Sequence, residues 1–409
     1  MKRQLMNAVA GALTLSIALG AGGAANAAAA RTLPAPRPAS AGYRLADDKL
    51  AAAHRPRAKG KARSSGTRSW AGATFTAAEA GRAAVHVLNA AKVALTGCVI
   101  RKNGPGAAVL ADTPGLVVLN GCAITTAGGA DGVAAAGPGS DIRIANSTIR
   151  VETGSHAALA GDGARITLEN VNVVGGGLRG GRLAVHGGTI TAGGSAVLQS
   201  DGLITAHGVT GTTLGVTGTA LGVTGTALGG AQGEHAAVID GPHGIDAIDS
   251  ALTGPAGVLF SGAGAGTATY KMAGGSLTAA TGPAFEVRGA TARVSVRGGA
   301  AIAAGDGVLA RVSDGGVLTL TASGQGLRGD VIAGSGSAAS LVLRHGSALT
   351  GTITNGAVEL DADSTWYVTG DSTVTRLTGA IGSIISNGHT VHATDGTVLV
   401  PQNGNHLSL

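Results

Sequence analysis

This sequence predicts an all-β solenoid, a parallel β-helix with about 24 residues per turn. Three observations predict it: a short apolar phrase recurs at a near-constant interval, a second apolar element recurs between its copies, and glycine is abundant where aromatic residues are scarce. A period of roughly 20 to 50 residues marks stacked structural units and not one globular core.

The phrase begins at Val93, Val117, Ile142 and Ile166, and again at Ile245, Tyr270, Val294, Leu318 and Leu341. Its copies read VALTGCVI, VVLNGCAI, IRIANSTI, ITLENVNV and YKMAGGSL, apolar residues alternating with variable ones before a small or polar step. Alternation by two is the signature of a strand. Between copies stand AAVLAD at 107–112, SAVLQSDG at 195–202, GVLFSGAG at 257–264, AFEVRGAT at 284–291 and GVLARVSDG at 307–315. Each period therefore holds at least two strands and Gly-rich corners. At a rise of about 3.3 Å per residue this suits one circuit of a three-sided helix.

Composition supports the same class. Glycine supplies 72 of 409 residues and aromatic residues only 2%, so the chain turns often and packs small side chains. The glycines have no three-residue period, which excludes collagen, and 44% apolar content is too high for a disordered chain. Gly and Thr disfavour helical solenoids.

Four segments follow one another. Residues 1–27 read as a secretory signal: Lys2 and Arg3 precede an apolar run, and Ala25-Asn26-Ala27 supplies the cleavage site. Residues 28–69 read as a basic, Ala/Pro-rich disordered linker with ten Lys or Arg against Asp47 and Asp48, a net of +8. With +2 in the signal and +6 overall, residues 70–409 carry 6 − 8 − 2 = −4, so the basicity belongs to the leader. That balance argues against nucleic acid as a partner. Residues 70–377 form the array, and 378–409 a C-terminal cap or truncated tail. No span is expected to remain in a membrane after signal cleavage.

Cys98 and Cys122 occupy the same place in consecutive phrases. Equivalent positions on adjacent turns lie about 4.8 Å apart, within disulfide range, so they form a stacked pair that is a disulfide candidate. A different periodicity appears where Gly-Val-Thr-Gly starts at Gly208, Gly215 and Gly222. This seven-residue unit reads as an expansion within a loop, with loss of the longer register between about 183 and 245.

Near its end the array carries Gly346-Ser347, Leu349-Thr350-Gly351, Ser364-Thr365-Trp366 and Thr369-Gly370-Asp371-Ser372, then Val374 and Leu377. This series, within residues 327–377, resembles the C-terminal turns of pertactin-like autotransporter passenger domains; about 300 residues share the looser turn pattern. The resemblance implies a right-handed, single-stranded parallel β-helix exported to the surface of a Gram-negative bacterium. It implies binding to host cell-surface or matrix components, as an adhesin or host-interaction factor, by a monomer without cofactors. Such proteins continue into a membrane β-barrel. This chain stops at Leu409, a short way past Leu377, so the expectation is a passenger without its translocator, or periplasmic if none is supplied.

Parallel β-helices also include polysaccharide lyases and hydrolases, which set carboxylates around one sugar bond. The richest polar cluster is Glu234, His235, Asp240, His243, Asp246 and Asp249. Asp240 and Asp246 are the candidate acid and base and His243 the candidate orienting group. Metal binding by this or another cluster is not expected. The residues that lead Gly at His186, His207, His243 and His345 read as exposed corners. Arg328-Gly329-Asp330 is a candidate integrin-binding tripeptide. A binding protein is the favoured reading; a carbohydrate-active enzyme and a truncated remnant without function are the alternatives.

Overall fold

Each copy of the phrase is two strands and the corner between them. In VALTGCVI the first strand is Lys92–Thr96, the corner is Gly97 and Cys98, and Val99–Asn103 is the second strand. The intervening element AAVLAD lies in a third strand, Gly106–Asp112. One turn therefore has three faces. This computed structural model describes residues 42–45 and 67–402, apart from 113, 153, 154, 162, 215–233, 263 and 264. The signal segment, most of the basic linker and residues 403–409 lie outside the described residues.

The architecture is the expected all-β parallel solenoid of about 24 residues per turn. Strands stack in register along each face: Val93 on Val117, Val117 on Ile142, Ile142 on Ile166. Among the described residues, the second face forms a ten-stranded ladder followed by a four-stranded one. Because side chains alternate across a strand, one set from every face points into the same narrow interior. There Leu95, Leu119 and Ile144 stack from the first face, and Ile100, Ile124 and Ile149 from the second, all at most 2% exposed.

The corner between first and second faces explains the small or polar step in the phrase. A left-handed backbone conformation occurs there at Gly97 (φ 61°), Gly121 (63°), Asn146 (48°), Asn170 (51°), Gly187 (62°), Gly208 (64°), Asp249 (46°) and Gly274 (70°). Only Gly, and next Asn or Asp, adopt it at low cost. The following residue turns inward, giving a buried column that includes Cys98, Cys122, Ser147, Val171, Val209 and Ser250. Where that residue is Ser, its hydroxyl replaces a ladder partner. Ser147 Oγ accepts the Cys122 N–H at 3.0 Å and donates to Ala145 O at 2.7 Å. Ser250 and Ser347 do the same for Val209 and Gln325.

The 24-residue spacing is lost between 183 and 245, as expected, and one expectation about alignment is corrected. Stacking persists between 183 and 245, where Ile166, Leu183, Ile204 and Ile245 follow one another in one column although the turns between them first shorten and then lengthen. The short turns arise because Gly177–His186 and Leu198–His207 run from the third face onto the first without a loop. The long one holds the expansion between Leu214 and His235, whose copies from Gly215 and Gly222 lie outside the described residues. The copy from Gly208 is itself a corner and the start of the strand Thr210–Leu214. Further on, Leu320 and not Leu318 stacks on Val294, because both leucines face inward on one long strand, Val317–Ser323.

The C-terminal turns keep the column Leu327, Leu349, Trp366, Ile384 on the second face. Trp366 is fully buried, and its indole N–H donates to Gly351 O at 2.9 Å. Both ends of the third face finish with an antiparallel strand, Gly42–Leu45 on Val85–Leu88 and Val398–Val400 on Val391–Ala393. Thr67, still within the segment assigned to the linker, already starts a strand of the array.

The corner makes a specific demand that mutation can read. Beyond its chain neighbours, no atom lies closer than 3.9 Å to a Cβ added at Gly121, so the resistance to one comes from its φ of 63°. Gly121→Val is expected to cost about 1–2 kcal/mol in denaturant unfolding. Asn170→Gly is expected to stay within about 0.5 kcal/mol of the parent. Equal effects would remove the conformational explanation.

Candidate functional site

The polar cluster at 234–249 is distributed over two faces and two corners. Asp240 ends the third-face strand His235–Asp240, is exposed, and accepts a hydrogen bond from Ser261 Oγ at 3.2 Å. His243 lies in the corner that follows, where its backbone carbonyl accepts the Thr269 N–H at 2.8 Å. Asp246 points outward from the first-face strand Gly244–Ile248, 3.5 Å from Lys271 Nζ. Asp249 is the left-handed residue of the next corner, 3.7 Å from His207. Each of these three aspartates thus has a neighbour on an adjacent turn, and the candidate acid and base sit on different faces. Among the described residues, no three His, Cys, Asp or Glu side chains are placed to hold a metal ion.

His235 leaves that cluster altogether. Its ring is buried, and Nε2 lies 2.9 Å from Glu286 Oε2, two turns along the third face. Arg288 holds the other oxygen of Glu286 through Nε at 2.9 Å and Nη2 at 2.7 Å. The hydrogen bond to His235, with those from Arg288, pulls the Glu286 carboxyl down to about 2 against the desolvation that opposes it. Sequence reading missed the pair, since 51 residues separate its members.

The tripeptide Arg328-Gly329-Asp330 forms the junction of the second-face strand Gly326–Arg328 and the third-face strand Asp330–Ala333. Arg328 is exposed, whereas Asp330 Oδ1 accepts the Thr352 N–H at 2.8 Å. A side chain at position 329 would come within 2.7 Å of Gly307 O, so glycine permits the close approach of adjoining turns. No loop projects at this place. Of the histidines, His186 and His207 end successive first-face strands with rings 6.3 Å apart, and His345 is a corner residue at φ 54°. These three are exposed, and His243 is half-buried.

Cys98 and Cys122 stack as the phrase implied and are free, buried thiols. Cys98 Sγ donates toward Trp70 O at 3.6 Å, and Cys122 Sγ toward Leu95 O at 3.4 Å, each reaching the preceding turn. Burial pushes the Cys122 thiol up from its ordinary value.

A groove that the sequence did not reveal lies near the first turns. Its walls are Thr76 to Glu79, Arg82, Arg101 to Asn103 and Thr125 to Ala127, from three successive second-face strands and one turn. The residues are ordinary in sequence, and only the stacking of equivalent positions on successive turns brings them together.

No protein-family model matches this chain, and no curated protein sequence matches it. Among the described residues, no helix is long and apolar enough to cross a membrane.

Two outcomes are expected from this geometry. Glu286 titrates lower in the folded chain than unfolded, so its stabilisation is complete above the ordinary carboxylate value of 4.5 and is lost as pH falls through about 2. The stability difference between parent and Glu286→Gln should therefore shrink as pH is lowered from about 5 to about 2; a difference independent of pH would contradict the pairing. For the thiols, a water-soluble disulfide reagent should react slowly with the folded chain and with two groups after denaturation. Immediate reaction of both in the folded state would contradict their burial.

Proposed function

We propose that this chain is an exported surface passenger of the pertactin-like autotransporter type, acting by binding host cell-surface or matrix components and not by catalysis. The observation that carries the reading is the end of the array. Of the residues of the resemblance, Leu349-Thr350-Gly351 and Ser364-Thr365-Trp366 lie on successive turns of one second-face ladder, and Gly370-Asp371-Ser372 is the corner by which the later of these turns passes to the third face. Each has a defined part there. Trp366 fills the interior, Ser372 Oγ accepts the Ile353 N–H at 3.2 Å, and Asp371 Oδ1 accepts the Thr390 N–H at 2.9 Å. A signal-like N-terminus and a long stacked rod fit a protein whose work is to present surface away from the cell.

The outward positions suit that work. Stacking fixes only the inward residues and the corners, so exposed residues are free to follow a partner. Support for binding also comes from Asp240 and Asp246, each engaged by a neighbouring turn and lying on different faces.

Export decides between this reading and a retained remnant. In its native Gram-negative host, the chain should reach the cell surface or the medium at the size left after signal removal, and added protease should degrade the cell-bound form. Deleting the gene should reduce attachment to host matrix. Confinement to the periplasm, with attachment unchanged, would defeat the proposal.

A further inference from the structure

The outer side of the second face carries an ordered pattern that the passenger reading does not use. Thr189-Ile190-Thr191 and Thr210-Gly211-Thr212 lie on successive strands, each with a buried middle residue and both threonines outward. The next two turns continue it as Ala251-Leu252-Thr253 and Ser276-Leu277-Thr278. Register arranges the outward positions in two columns. Thr191, Thr212, Thr253 and Thr278 follow one another in the first, and Thr189, Thr210, Ala251 and Ser276 in the second. Ala251 alone among these positions lacks a hydroxyl.

The columns are not a by-product of the 24-residue period. The intervals from Thr191 to Thr212, Thr253 and Thr278 are 21, 41 and 25 residues, yet the pairing crosses them without a bulge. The seven-residue expansion multiplies the same unit: Thr-Gly-Thr stands again at 217–219 and 224–226, which lie outside the described residues and form no part of the site.

Strand stacking spaces the hydroxyls of one column at about 4.8 Å, and side-chain alternation sets the columns about 6.7 Å apart. β-Branched side chains have few rotamers, so this pattern loses little freedom on meeting a surface. The hydroxyls of Thr191, Thr212, Thr253 and Thr278 have no hydrogen-bond partner among the described residues, and Thr189 Oγ1 donates to Asn172 Oδ1 at 2.6 Å. Each threonine also presents a methyl group. The face is therefore mildly apolar and at the same time able to hydrogen-bond.

The surroundings narrow the ligand. Between Arg150 and Arg328 no outward position of these second-face strands is charged, which argues against ionic ligands. No aromatic ring stands there on which a sugar or a base could stack. The uncharged stretch covers on the order of 300 Å², against roughly 800 Å² per partner in a stable protein interface. A crystalline solid needs neither charge nor a large contoured area, because equal sites at a matching repeat engage together. Planes of hexagonal ice repeat at intervals close to both spacings of the columns.

We propose that this Thr-x-Thr face binds ice, its hydroxyls and methyls holding water in the arrangement of an ice plane. The assignment concerns binding alone and stands apart from export and host attachment.

The test grows ice slowly from a solution of the purified full-length chain and measures the protein taken into the ice and left in the liquid, with serum albumin as an excluded control. The parent should be enriched in the ice fraction and should inhibit ice recrystallisation. Thr212→Lys and Thr253→Lys should lose both effects, whereas Thr205→Lys, at an outward threonine of the first face, should keep them. Ala251→Thr fills the gap in the second column and should raise enrichment, a gain that misfolding cannot imitate. Circular dichroism checks that each variant keeps its strands. Exclusion of the parent from ice, or full enrichment of Thr212→Lys, would overturn the proposal. So would retention on crystalline cellulose or chitin that Thr212→Lys abolishes, without entry into ice, which would assign the face to a polysaccharide.

Discussion

Every turn of this chain must bend sharply between its first and second faces while its backbone hydrogen bonds continue to point along the rod. Those two demands conflict, because a residue at the bend cannot offer its N–H in the ladder direction without entering the left-handed region. Gly97, Gly121, Asn146, Asn170, Asp249 and Gly274 resolve the conflict by adopting it. The next residue then faces inward, and where it is serine its hydroxyl satisfies the amide of the turn before. The rest of the solenoid depends on this corner. It sets which residues point to the core, and so which remain available outside.

Cohesion consequently runs between neighbouring turns. Hydrogen bonds, the hydroxyl caps and the apolar columns all link one turn to the next, so stability is close to a sum of nearest-neighbour terms. A solenoid of this type tolerates unequal turns as long as each inward residue finds its counterpart. Functional groups are assembled on the same plan. The groove draws Thr76, Arg101 and Thr125 from three turns at one position of the second-face strands. His235 and Glu286 meet across two turns of the third.

Much of this architecture was legible because it is repeated. The phrase exposed the alternation of Val93 and Leu95, the Gly or Asn of the corner, and the shared position of Cys98 and Cys122. It misled where two residues satisfied the same pattern, as with Leu318 and Leu320, and between Ile166 and Ile245 it showed the change of interval but not that stacking continues through it. Proximity across turns was harder to read. Whether His235 meets Asp240 or Glu286 depends on which face each occupies, and composition carries no mark of that. Lys102 was invisible for a related reason: its inward place between Ala77 and Thr126 follows only from the register, and its partners are carbonyls.

The turn from Ile204 to Ile245 has a consequence for how this chain can change. It is far longer than the one from Ile166 to Leu183, yet it returns to register as faithfully. Closure entropy rises slowly with length, by about 0.6 kcal/mol for each doubling. A tract built from a seven-residue unit can therefore gain or lose whole copies with little effect on the ladders on either side. Such tracts are prone to slippage when DNA is copied, and slippage by whole units preserves the reading frame. The number of copies at this point is thus a heritable variable that selection can adjust almost independently of the flanking ladders.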